Sequence, residues 1–180
     1  MSSTAESDRV YNVLFLCTTN AGRSVMAEAI LNKDGHGRFR AFSGGTKPSG
    51  KIHPLAAETL TRFGYATDGL SSKSWEIFAQ PDAPHMDFVF TVCDDAAGEE
   101  CPVWPGHPLT AHWGIENPSA VEGSEVEKET AFNQAFRYLK NRVDVFANLP
   151  LQSIDHLALE MRLKEIGMMD GTTNPQAAAG

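Results

Sequence analysis

Residues 13–31 read VLFLCTTNAGRSVMAEAIL. The stretch passes from a continuous apolar run, Val13-Leu14-Phe15-Leu16, through a short polar loop, into Val25, Met26, Ala29 and Ile30, spaced as one face of a helix. An unbroken apolar run of that length is the pattern of a strand covered on both faces, as in a parallel sheet. The loop between them starts with a thiol, Cys17, and ends with Gly22, Arg23 and Ser24. A strand–loop–helix unit is the first half of an open α/β architecture, in which ligands bind beyond the carboxyl ends of the strands.

Working outward, the same two periods recur. Phe39 to Ser43 reads as a second short strand closed by Gly44-Gly45, and a helix begins near Pro54, carries Leu55, Leu60 and Phe63, and stops at Gly64. Phe88-Val89-Phe90-Thr91-Val92 is a third, fully apolar strand that delivers Cys93 at its carboxyl end, and a fourth is expected near Thr110 to Gly114. From about Ser124, Phe132, Phe136, Leu139, Val143 and Phe146 recur at helical spacing, so these aromatics are assigned to the core. Asp155 to Ile166 repeats the pattern more weakly through Ile154, Leu157, Met161 and Ile166. The expected fold is α/β, an open four-stranded parallel sheet with helices on both faces. The chain 1–180 is expected to be one domain, ordered over about 10–167 between a polar leader and a frayed Gly/Thr/Pro/Ala tail.

Composition narrows the function. A net charge of −8 and a pI near 5.2 speak against nucleic acid or an anionic membrane as partners, since both demand a basic face. There is no export signal at MSSTAESDRV and no apolar run near the length of a membrane span, so the expected location is cytoplasmic. Three cysteines in a reducing compartment point to burial, catalysis or metal binding rather than to structural bridges.

The spacing Cys17-x5-Arg23 has a direct chemical reading. Between a strand and a helix N-terminus, the backbone N–H groups of Thr18, Thr19, Asn20, Ala21, Gly22, Arg23 and Ser24 can converge on one point, where the helix end adds partial positive charge. Such a loop holds a tetrahedral oxyanion. Arg23 offers a planar fork of donors, Gly22 allows close backbone approach, and the same field is expected to lower the Cys17 pKa into a range of about 3.5–7.5.

The loop resembles that of the low-molecular-weight tyrosine phosphatase fold. A second motif, FVFTVCDDAAGEECPVWPGHPLTAHWGIENP at 88–118, is similar to the thiol-dependent arsenate reductases built on that fold. The likeness runs from about Tyr11 to about Phe146. It implies arsenate as substrate, with phosphate and sulfate as competing anions. It also implies an external reductant, glutathione with glutaredoxin or else thioredoxin, and no tightly bound cofactor or metal. By the same resemblance Asn20 braces the loop, Ser24 places a hydroxyl against the thiolate, and Ser43 supports Asn20.

Thiolate attack on a tetrahedral centre begins both chemistries, so the other thiols must decide between them. Reducing arsenate takes two electrons, which one thiol cannot supply without a second to close a disulfide. Cys93 and Cys101, separated by seven residues in an acidic loop, have the layout of a relay, with Cys93 the nearer and Cys101 the later resolving thiol. Asp94, Asp95, Glu99 and Glu100 are expected to keep both protonated at rest. Without a Cys-x2-Cys or a close His pair, a metal site is not expected, and His107 and His112 are assigned to loop and packing.

One residue departs from the family pattern. Where the family carries an aspartate general acid before a proline, this chain has Asn117 before Pro118, and an amide has no proton to give. A phosphatase would lose its leaving-group acid, which tilts the reading toward reductase; Glu116 is the only adjacent carboxylate that could substitute. Two alternatives stay open: a low-molecular-weight protein tyrosine phosphatase, and a non-catalytic oxyanion-binding or redox-sensing module.

Overall fold

Val13, Leu14, Phe15 and Leu16 are all buried, as a non-alternating apolar run requires. They form the middle of β1 (Tyr11–Cys17) in the computed structural model of the chain, which describes residues 9–93 and 107–173. β2 (Phe39–Gly45), β3 (Phe88–Thr91) and β4 (Leu109–His112) complete a four-stranded sheet in the order β2-β1-β3-β4, with every neighbouring pair parallel. β1 lies inside, between β2 and β3. Cys17 faces Gly45 in the register, and Leu16 faces Thr91, so both cysteine-bearing ends open on one edge of the sheet.

Side chains alternate across the pleat. Val13 and Phe15 join the larger core with Phe88, Phe90, Met26 and Ile30. That side is covered by α1 (Arg23–Asp34) and α3 (Glu125–Ala147), with α2 (Pro54–Arg62) packed against both helices. Leu14 and Leu16 point to the opposite face, where Phe78, Met86 and Val89 surround them beneath the 3-10 turn Trp75–Phe78. A capping box starts α3: the Ser124 hydroxyl accepts from the Glu127 N–H, and the Glu127 carboxylate accepts from the Ser124 N–H. Along α3, Phe132, Phe136, Leu139, Val143 and Phe146 are buried, as their spacing predicts.

α4 (His156–Gly167) lies against β4 and differs in detail from its sequence reading. Leu157 and Met161 are 64% and 58% exposed, while Leu159, Leu163 and Ile166 face the core. The apolar pattern is too weak to choose a face; the fit against β4 chooses it. Gly167 is required there, because a Cβ would fall 2.3 Å from the His112 carbonyl oxygen. Among the described residues no helix is long and apolar enough to cross a membrane.

Trp113 links β4 to α4. It is fully buried, stacked on Phe90 at 3.9 Å between centroids, and its indole N–H donates to the Leu163 carbonyl at 3.0 Å. Trp113→Ala should cost about 3–5 kcal/mol, since it leaves a large cavity and an unpaired carbonyl. Urea unfolding monitored by far-UV circular dichroism would read that loss as a lower midpoint.

Candidate active site

The loop 17–22 turns its carbonyls outward. The carbonyl of Cys17 accepts from Thr46 N–H (3.2 Å), that of Thr18 from Lys47 (2.8 Å), that of Thr19 from Ser49 (3.1 Å), and that of Ala21 from His53 (2.9 Å). Because the C=O and the next N–H of a peptide unit point in opposite directions, these four bonds aim the N–H groups of Thr18, Thr19, Asn20 and Gly22 inward. The Gly22 carbonyl is the first acceptor of α1, from Met26 at 2.9 Å, which leaves the helix N-terminus open to the same point. The segment 46–53 therefore acts as an outer brace that forms the inner nest.

Asn20 makes the sharp bend. Its φ is +50°, a left-handed conformation that asparagine tolerates, and its side chain is fully buried. Nδ2 donates to the Ser24 hydroxyl at 2.8 Å, and Oδ1 accepts from the Lys73 backbone N–H at 2.9 Å. The expected bond between Ser43 and Asn20 is replaced by a longer connection: Ser43 donates to Glu28, and the Lys73 ammonium lies 3.4 Å from both the Ser43 hydroxyl and Asn20 Oδ1. Ser24, expected against the thiol, is the acceptor of the Asn20 amide. Burial lowers the Lys73 pKa and raises that of Glu28, while their 3.7 Å pairing opposes both shifts. Lys73 and Glu28 carried no local signal, because Lys73 arrives from the connection after α2.

Gly45 packs hardest against the loop. A Cβ at Gly22 would meet only Phe132 at an ordinary 3.7 Å, whereas one at Gly45 would lie 2.5 Å from the Thr18 carbonyl oxygen and 3.0 Å from the Asn20 nitrogen. Gly45→Ala must push the loop out of shape. A displacement of even about 1 Å at such a site can cost 10²-fold, so protection of Cys17 by phosphate against iodoacetamide should weaken by at least about tenfold.

The two cysteines are neighbours. The Cys93 sulfur lies 3.4 Å from the hydroxyl of Thr18, the residue after Cys17, and each cysteine is only 2% exposed. The neighbouring Cys93 and burial push the Cys17 pKa up, against the pull of Arg23 and the Thr18 N–H. This runs against the expected resting thiolate: a second sulfur beside a buried thiol disfavours its negative charge.

The low molecular weight phosphotyrosine protein phosphatase family, as a profile, matches residues 12–157. The chain belongs to that family. An arsenate reductase of Bacillus licheniformis is 34% identical over 136 residues, 75% of this chain and 94% of the relative. An arsenate reductase solved in its phosphate binding state superposes with a TM-score of 0.63 at 26% identity, covering 76% of this chain and 96% of that one. The thioredoxin-dependent arsenate reductase of Corynebacterium glutamicum has a TM-score of 0.52 at 25% identity, over 81% of this chain and 67% of that chain.

In this member of the family, two clefts meet at Arg23. One, of about 350 Å³, holds Cys17 at its base, with Ile52, Pro54, Pro118 and Phe132 as apolar wall and Ser49, Lys51, His53 and Asn117 as polar rim. Phe132, read as core, is both core and wall. His53 caps α2 through Nδ1, which accepts from the Leu55 N–H at 3.1 Å; burial and the nearby Lys128 lower its pKa. The other cleft, of about 450 Å³, is lined by Arg23, Cys93, Glu116 and Asn117. Glu116 thus lines the cleft on the Cys93 side of Arg23. Asn117 Oδ1 accepts from the Ser119 N–H (3.0 Å) and hydroxyl (2.7 Å), capping the 3-10 turn Pro118–Ala120. Cys101, with Asp94, Asp95, Glu99 and Glu100, lies outside the described residues. His112 Nδ1 pairs with the Thr91 hydroxyl at 2.7 Å.

Proposed function

We infer that the chain is a thiol-dependent arsenate reductase working in the cytoplasm, with Cys17 and Cys93 as the redox pair. The observation that carries this reading is a second buried thiol, Cys93, next to Cys17 and 3.4 Å from the Thr18 hydroxyl of the oxyanion loop. Arg23 and the loop N–H groups hold the arsenate oxygens, and the bound charge is met by the helix N-terminus. Cys17 attacks arsenic and displaces an oxygen as water. Cys93 then attacks the Cys17 sulfur, the S–As bond breaks, and its electron pair stays on arsenic. In sum, dihydrogen arsenate, the two thiols and one proton give arsenous acid, the Cys17–Cys93 disulfide and one water, with two electrons passing from sulfur to arsenic.

Cys101 is assigned to accept the disulfide next and hand it to the external reductant. The likeness to a thioredoxin-dependent relative favours thioredoxin over glutathione with glutaredoxin. The reading is tested by arsenate-dependent NADPH oxidation with thioredoxin and its reductase in one reaction, and glutathione, glutaredoxin and glutathione reductase in another. Turnover with thioredoxin is expected; none in either reaction overturns the proposal. The apolar wall around Phe132 favours one second reading, hydrolysis of aryl phosphates, which Asn117 opposes.

A further inference from the structure

The family match ends at residue 157, in the first turn of α4, and the chain continues through the rest of that helix into a strap of residues 168–173. The strap is tied at two places. Arg142 of α3, fully buried, donates through Nη1 to the carbonyls of Tyr138 and Asp170 (3.1 Å each) and through Nη2 to that of Met169 (3.0 Å). A buried guanidinium is costly, and here its Nε has no partner, so the three carbonyl bonds must repay its desolvation.

At its far end the strap pairs with the loop after β4. Ile115 and Thr172 form an antiparallel bridge, and the Thr173 N–H donates to the Gly114 carbonyl at 3.1 Å. On its other side Ile115 is held by its own N–H, which donates to the Val92 carbonyl at 3.2 Å. Its carbonyl then accepts from Arg23 Nη1 at 2.8 Å. Arg23 carries five donors in a rigid fork, so fixing one Nη leaves the rest of the fork pre-aimed at the nest.

We propose that Arg142 and the strap are positioning elements for Arg23: by clamping the Gly114–Ile115 turn they set the carbonyl that orients the oxyanion-binding guanidinium. The inference rests on reading the loop 17–24 as the oxyanion site, but it does not require that arsenate be reduced. A variant lacking the clamp keeps the nest and loses part of the alignment of Arg23, so anion affinity falls while Cys17 stays in place. Arg142 acts at a distance, through two carbonyls and a strand bridge.

The test uses inorganic phosphate and the rate at which iodoacetamide modifies Cys17. Thr173→Pro removes one N–H at the end of the strap and leaves Arg142, α4 and the core intact. It should raise the apparent Kd for phosphate by about threefold to tenfold, the range of coupling between groups sharing partners. In an Arg23→Lys background the same substitution should change the Kd by less than about twofold, because a lysine has no fork to be aimed. Arg142→Met should behave as Thr173→Pro if it folds, and Arg142→Lys should recover part of the loss. Unchanged phosphate affinity in a folded Thr173→Pro, or an equal loss in the Arg23→Lys background, overturns the proposal. Since phosphate binding is read without turnover, loss of the reductase reading would leave this result standing.

Discussion

Cys17→Ser should bring arsenite formation below about one part in 10⁴ of the parent rate, since a hydroxyl neither attacks arsenic as a thiolate does nor gives up electrons to it. The nest itself is built from backbone, and its carbonyls are tied by Thr46, Lys47, Ser49 and His53. Phosphate should therefore still stabilise the variant, by about 2.7 kcal/mol at a concentration one hundred times its Kd, read as a rise in melting temperature. A companion substitution tests the sulfur pair. Cys93 is the largest cause raising the Cys17 pKa, ahead of burial, while Arg23 and the Thr18 N–H act downward. Cys93→Ala removes the upward cause, so the pKa falls and the thiolate fraction at any pH below it grows, about tenfold for each pH unit that the pKa drops. The pH profile of alkylation should move to lower pH; a profile unmoved, or moved upward, would mean that the sulfurs are not neighbours in solution.

Asn117→Asp should increase phenyl phosphate hydrolysis by about 10²–10⁴-fold, the usual contribution of a positioned general acid. The substitution is isosteric, and one carboxylate oxygen can keep both bonds from Ser119 that now hold the amide in its turn. The second oxygen then takes the place of Nδ2 on the rim of the Cys17 cleft. Only the protonated acid can assist the leaving group, so the gained rate should fall as pH rises through the pKa of the new carboxyl. Para-nitrophenyl phosphate, whose leaving group is a much weaker base, should gain less. Arsenate reduction should change little, because its leaving oxygen can depart as water from a protonated arsenate. Equal rates for asparagine and aspartate with phenyl phosphate would show that residue 117 does not reach the leaving group.

Much of this protein is legible in local pattern. The run 13–16 and the run 88–92 have no polar alternation, and a strand of that kind has nowhere to go but the interior of a parallel sheet, where β1 and β3 lie. Pro54 and Gly64 bracket α2, and the aromatic stripe from Phe132 to Phe146 places α3 on the core. The Cys17-to-Ser24 loop could be read because its chemistry is carried by consecutive residues, and a strand entering a helix makes a nest from local geometry alone. What depends on chain segments distant in sequence was decided only by tertiary structure. Lys73 braces Asn20 from 53 positions away, Gly45 is the glycine that the loop cannot do without, and the strap reaches Arg23 through Ile115. The sign of the Cys17 pKa shift belongs to the same class. A helix N-terminus and an arginine pull it down by local geometry, but a second sulfur brought in by a neighbouring strand pushes it up, and together with burial it outweighs the rest.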